Sequence, residues 1–174
     1  LPMPIQINNQ IPGTNPQGNN TGQIDPTALT LSRAIRASET SANGDYNKTT
    51  VEPDGSTSFG AYQFNRDNFS TWAKQYGLDQ NDTSPTNQDH LAYSRIKDLM
   101  DQGHSQSEIA AIWNGSRVKD GFHVALNPQY VDNVKNNYTQ LSQQGGYVNP
   151  QAQQPIQQQN NVPVQNQRYG INVS

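Results

Sequence analysis

The sequence predicts a mainly α domain of five helices, with one loop or small β-hairpin between the first and second, and three observations carry that expectation. Apolar residues recur at helical spacing from about Thr27 to Leu141. A capping residue is followed by proline at Asp25-Pro26, Ser84-Pro85 and Asn127-Pro128, the combination favoured at helix starts. The segment 42–58 has no helical period and is rich in turn formers.

The first helix opens at Asp25-Pro26, and Leu31 and Ile35 recur at four-residue spacing with Glu39 as the next step on that face. A second helix covers about Arg66 to Tyr76, with Phe69, Trp72, Ala73 and Tyr76 on one face and Gly77 as its stop. The third starts at Ser84-Pro85, buries Leu91, Ala92, Ile96 and Met100, and stops at Gly103. Ser105-Gln-Ser-Glu108 has capping-box form and opens a fourth helix carrying Ile109, Ile112 and Trp113. The fifth begins at Asn127-Pro128, with Tyr130, Val131, Val134, Tyr138 and Leu141 along one stripe. Within 42–58, Gly44 and Pro53-Asp-Gly55 mark turns, and Thr49-Thr-Val51 is the β-prone run.

The termini have a different composition. Residues 1–23 and 146–174 are rich in Asn, Gln and Pro, and too poor in apolar residues to offset their ordering entropy. They are expected to be linkers, or arms that order on a partner, flanking a domain at 24–145. The opening Leu1-Pro-Met-Pro-Ile5 lacks the basic and continuous apolar regions of a signal peptide and does not start with Met. A processed chain or a piece of a larger protein is expected.

Composition also narrows the function. A net charge of −3 offers no basic stripe for nucleic acid, and no apolar run approaches a membrane span. With no cysteine, thiolate catalysis and cysteine-based zinc sites are excluded. His90, His104 and His123 lie in separate segments without metal-ligand spacing, so they read as packing or solvent-facing residues, and no metal or other cofactor is expected.

Glu39 is the candidate catalytic residue. At a helix C-terminus it faces the negative end of the macrodipole, and its place on the Leu31/Ile35 face predicts partial desolvation. Both effects raise a carboxyl pKa toward the range of a general acid at neutral pH. The bland alternative is a carboxylate that ends the stripe and points to water.

Four blocks in order, Glu39-Thr-Ser, Ser58-Phe-Gly-Ala-Tyr-Gln-Phe64, Ile112-Trp-Asn-Gly-Ser116 and Gln129-Tyr-Val-Asp-Asn-Val134, resemble the soluble lytic transglycosylase family. That family has a helix-ending Glu-Ser, a Gly-Leu-Met-Gln segment, an Ala-Tyr-Asn-Ala-Gly segment and a Tyr-Val-x-x-Val helix. The stretch Tyr62-Gln63, Phe69 to Trp72, Gln75-Tyr-Gly-Leu78 and Ser84-Pro-Thr-Asn-Gln-Asp89 is also similar to lambda-type phage endolysins. The resemblance spans about Leu29 to Tyr138. It implies an α+β lysozyme-like fold and cleavage of peptidoglycan glycan strands.

The resemblance implies that Glu39 is the acid/base and that Gln63 faces the cleft and binds sugar. It places Trp113 beside Asn114 in the third block, and the Tyr130 hydroxyl near the catalytic carboxyl. Ser58, Gly60 and Tyr62 join these as expected substrate-binding positions. Thr40 stands where the family has Ser, Tyr62 where it has Met, and Gly115-Ser116 where it has Ala-Gly. Read from the residues alone, Trp113 and Tyr130 fit apolar stripes and Gly60 a turn. Gln63, between two aromatics, needs a polar partner if buried.

The second carboxylate decides the chemistry. A hydrolase uses two, and Asp45, Glu52 and Asp54 are the candidates in the loop. The resemblance instead implies a one-carboxylate transglycosylase that closes a 1,6-anhydro ring. The composition of the termini favours a phage virion enzyme, internal or tail-borne, whose tails meet other virion subunits. A secreted, periplasmic or conjugation-associated bacterial enzyme is the alternative. An inactive virion module with the same fold is the reading from a different class.

Overall fold

Helix α1 (Pro26–Glu39) starts where Asp25 accepts hydrogen bonds from the Thr27 and Ala28 amides, while Pro26 removes an N–H that would need its own partner. The computed structural model describes residues 24–144, and the expected tails at 1–23 and 146–174 lie outside them. Every residue from Ala28 to Arg36 is buried, so α1 is a central helix surrounded on all sides rather than one with a single apolar stripe. Its hydroxyls return to its own backbone, Thr30 to Pro26 O and Ser32 to Leu29 O, which satisfies them inside the core.

Three of the other helices start at side-chain caps. Asn65 caps α2 (Arg66–Gln75), Ser84 caps α3 (Pro85–Asp101), and the Ser105/Glu108 capping box opens α4 (Gln106–Asn114). Helix α5 (Pro128–Gln144) closes the domain by packing along α1. At the ends of α2 and α3 the Leu78 amide donates to Ala73 O and the His104 amide to Leu99 O. These six-to-one bonds need a left-handed residue just before them, supplied by Gly77 and Gly103.

The excursion after α1 holds more β-structure than a small hairpin. Strands β1 (Thr49–Val51), β2 (Thr57–Phe59) and β3 (Phe64–Asn65) form an antiparallel sheet in that order, with Thr50 opposite Ser58 and Phe59 opposite Phe64. The third strand comes from the Ser58–Phe64 motif itself. Its turn is possible because Gly60 (φ +81°) and Gln63 (φ +51°) both adopt left-handed backbone. A second hairpin, β4 (Ser116–Lys119) with β5 (Phe122–Ala125), links α4 to α5 and was not expected. Its turn is Asp120-Gly121, both at positive φ. An Asp-Gly pair between two β-prone runs is among the strongest short-range hairpin signals, so the sequence did contain it.

Beneath the three-stranded sheet lies a buried polar layer. Arg33 and Asp89 approach to 3.3 Å with essentially no exposure. Asp89 Oδ1 accepts from the Tyr62 hydroxyl at 2.6 Å and the Tyr46 hydroxyl at 2.9 Å, while Arg33 donates to Tyr62 and Arg36 to Tyr46. Gln88 completes the layer, accepting from the Ala61 amide and donating to the Tyr46 and Thr83 carbonyls. A Cβ on Gly60 would fall 2.2 Å from Gln88 Oε1. Gly60→Ala combines that overlap with a strained φ, and should cost about 2–4 kcal/mol in urea unfolding. A loss under about 0.5 kcal/mol would show that the turn can move away from α3.

Candidate active site

Glu39 is the last residue of α1, half-buried at the mouth of a cavity of about 420 Å³. Its backbone position is fixed on two sides. Thr40 bonds Arg36 O through its amide and Ala61 O through its hydroxyl, and Asn137 on α5 donates to Ser38. The Tyr130 hydroxyl donates to Glu39 Oε2 at 2.6 Å, leaving Oε1 as the oxygen for a transferable proton.

Burial pushes the Glu39 pKa from 4.5 up to about 7. The Tyr130 hydrogen bond and the Lys48 charge pull it down, and the nearby Glu52 charge pushes it up; desolvation dominates. A carboxyl in that range is populated in both states near neutral pH, as acid–base catalysis requires. Burial and then the Glu39 charge hold the Tyr130 phenol well above its ordinary range, so it stays a donor.

Of the expected substrate-binding residues, Ser58, Gln63, Trp113 and Asn114 line the cavity with Glu39. Tyr130 enters the site through Glu39. Gln63 is held by two bonds: its amide oxygen accepts from the Thr50 hydroxyl and its amide nitrogen donates to Gly60 O. Trp113 combines packing with lining, since its indole N–H donates to Tyr62 O while its ring lies 5.9 Å from Trp72.

Two expectations are corrected. Tyr62 is fully buried with its hydroxyl spent on Asp89 and Arg33, so it offers no surface to a sugar. Gly60 does not line the cavity; its left-handed turn and its close approach to Gln88 account for it.

The three loop carboxylates also separate. Asp54 is exposed and bonds Ser56, and Asp45 caps the Asn47 amide. Glu52 lines the cavity.

Several lining residues were missed individually, though their spacing was visible. Lys48 and Thr50 alternate with the already named Glu52 along the β1 segment and share its face. Asn65, Asn68 and Trp72 follow at helical spacing along α2. Trp72 and Phe64 form an aromatic wall with Trp113, and the Arg95 guanidinium lies 4.9 Å from the Trp72 ring centroid.

The histidines stay apart from this cleft. His90 is buried, and its pKa is lowered by that burial. His104 approaches Glu108, and His123 meets Ser116. Among the described residues no group of three or more His, Cys, Asp or Glu side chains is placed to hold a metal. Among the same residues no helix is long and apolar enough to cross a membrane. No protein-family model, curated protein or solved structure matches the chain.

Proposed function

We propose that the protein is a lytic transglycosylase that cuts the bond after N-acetylmuramic acid in peptidoglycan. The observation that carries this reading is the helix-ending Glu39, raised to about 7 by burial and held by Tyr130 at the mouth of a cleft lined with aromatic and amide side chains.

Protonated Glu39 gives its proton to the glycosidic oxygen as the C1–O bond breaks. The substrate's acetamido oxygen attacks C1 and holds the developing cation. Glu39, now ionised, takes the proton from the muramyl C6 hydroxyl as that oxygen attacks C1 and displaces the acetamido oxygen, which regenerates the acetamide, closes the anhydro ring and restores the acid. No water is consumed. Trp72 and Trp113 offer faces for sugar stacking, and Ser58, Gln63 and Asn114 offer polar contacts. The Asn/Gln-rich composition of the termini favours a phage-borne enzyme acting on the host wall, with a secreted or periplasmic bacterial enzyme as the alternative.

Glu52 supports a second reading. It lines the same cavity as Glu39, and its charge acts to raise the Glu39 pKa, so it is the loop carboxylate available to a two-carboxylate hydrolase. Mass spectrometry of digested peptidoglycan separates the two. The first reading expects 1,6-anhydro-muramyl ends, one water lighter than reducing ends, with Glu52→Gln keeping most of the activity. Reducing ends that disappear in Glu52→Gln would establish the hydrolase instead.

A further inference from the structure

The hairpin β4–β5 begins two residues after Asn114, at the edge of the cleft. It is anchored to α4 where the His123 amide donates to Glu108 Oε2 at 3.1 Å, and within the hairpin Ser116 Oγ lies 3.0 Å from His123 Nδ1. The Leu126 amide closes the base on Gly115 O. The hairpin is thus held in place.

Its outer face is unusual. Arg117 pairs across from Val124, and Lys119 from Phe122, so all four side chains project from one side. Phe122 is 64% exposed and Val124 37%. Neither Arg117 nor Lys119 makes an ion pair among the described residues. An exposed ring and valine interleaved with two unpaired cations, on an anchored hairpin, make a surface suited to a ligand that alternates methyl groups with carboxylates.

We propose that this face binds the stem peptide of the peptidoglycan strand lying in the cleft, an inference that rests on the function proposed above. A stem peptide carries alanine methyls and free carboxylates, and it leaves the glycan from the lactyl group of the muramic acid. Three extended residues span about 10 Å, and a four-residue strand about 13 Å, so a stem leaving the cleft beside Asn114 can run the length of the hairpin. Arg117 and Lys119 meet the carboxylates, and Phe122 and Val124 the methyls. A nucleic acid would need a longer basic track than two cations beside Asp120, in a chain of net charge −3.

The test compares Arg117→Glu/Lys119→Glu and Phe122→Ser with the parent on two substrates: peptide-bearing glycan strands, and the same strands stripped of peptide by an amidase. The charge reversal should raise KM on peptide-bearing strands about tenfold at low salt, less at high salt, and leave kcat and KM on stripped strands unchanged. Equal effects on both substrates, or none on either, would overturn the proposal. Titration with free stem tripeptide, followed by amide NMR shifts at 117–124, is independent of cleavage. Shifts confined to the hairpin support the assignment even if no strand is cut, whereas a silent hairpin refutes it. Binding to anionic lipid vesicles, lost in Phe122→Ser with no change in KM on either strand, would mean that a lipid surface takes this face instead.

Discussion

Glu39→Gln should leave a folded protein that clears peptidoglycan at least about a hundredfold more slowly, because it removes the proton that general acid catalysis supplies. The amide can still accept from Tyr130, so the geometry of the cleft is retained. With the parent, kcat/KM should be steady below neutrality and fall tenfold per pH unit above about 7, as the acid ionises. Tyr130→Phe removes a bond that favours the ionised form, so the alkaline limb should move to higher pH while kcat drops.

The same carboxyl makes stability depend on pH. It binds its proton more tightly in the folded chain, at about 7, than in the unfolded one, at 4.5. Its contribution is therefore most favourable below 4.5 and is lost as pH rises to about 7. At pH 8 Glu39→Gln should be the more stable protein, by about 1–3 kcal/mol after allowance for solvent at the half-buried site. That margin should vanish in acid. Equal urea midpoints at pH 8 and in acid, together with undiminished clearance, would mean Glu39 is an ordinary surface carboxylate.

The helices were legible in the sequence because their signals are local. Asp25-Pro26, Ser84-Pro85 and the Ser105/Glu108 box fix helix starts through bonds that span at most three residues. The Glu39–Tyr130 contact joins residues 91 apart, and no period or cap encodes it; the resemblance alone paired them. The β-structure was under-read for a different reason. In Ser58–Phe64 the apolar residues were assigned to a sugar-binding motif, which hid the alternative that Gly60 and Gln63 turn the chain into a third strand. Tyr62 was misplaced for the same cause: it lies in the turn between β2 and β3, where left-handed Gly60 and Gln63 send Gln63 to the cleft and Tyr62 inward to Asp89, an arrangement no strand or helix period encodes. The depth of Arg33 and Arg36 was not legible either, since charged residues on a helix ordinarily mark its solvent face.

Those two arginines underlie the last expectation, a stability loss of about 3–5 kcal/mol for Asp89→Asn. Asp89 is fully buried and is the carboxylate facing Arg33 at 3.3 Å, with both tyrosine hydroxyls converging on its Oδ1. The amide keeps the volume and some of the hydrogen bonds but removes the buried negative charge that faces Arg33. Tyr46 and Gln88 tie this layer to the loop, and Thr40 and Ala61 tie the loop to the end of α1. Loosening the layer should therefore admit water to Glu39 and lower the pH at which remaining activity is lost, toward the ordinary carboxylate range. A loss of this size can unfold a marginally stable domain outright, so the double replacement Arg33→Met/Asp89→Leu is the companion measurement. If the loss comes from breaking this ion pair, the double replacement should cost less than Asp89→Asn alone, because it removes both of its charges together. Urea unfolding decides: a single-variant loss under about 1 kcal/mol, or a double variant worse than the sum of its singles, would show that the layer is not held by this ion pair.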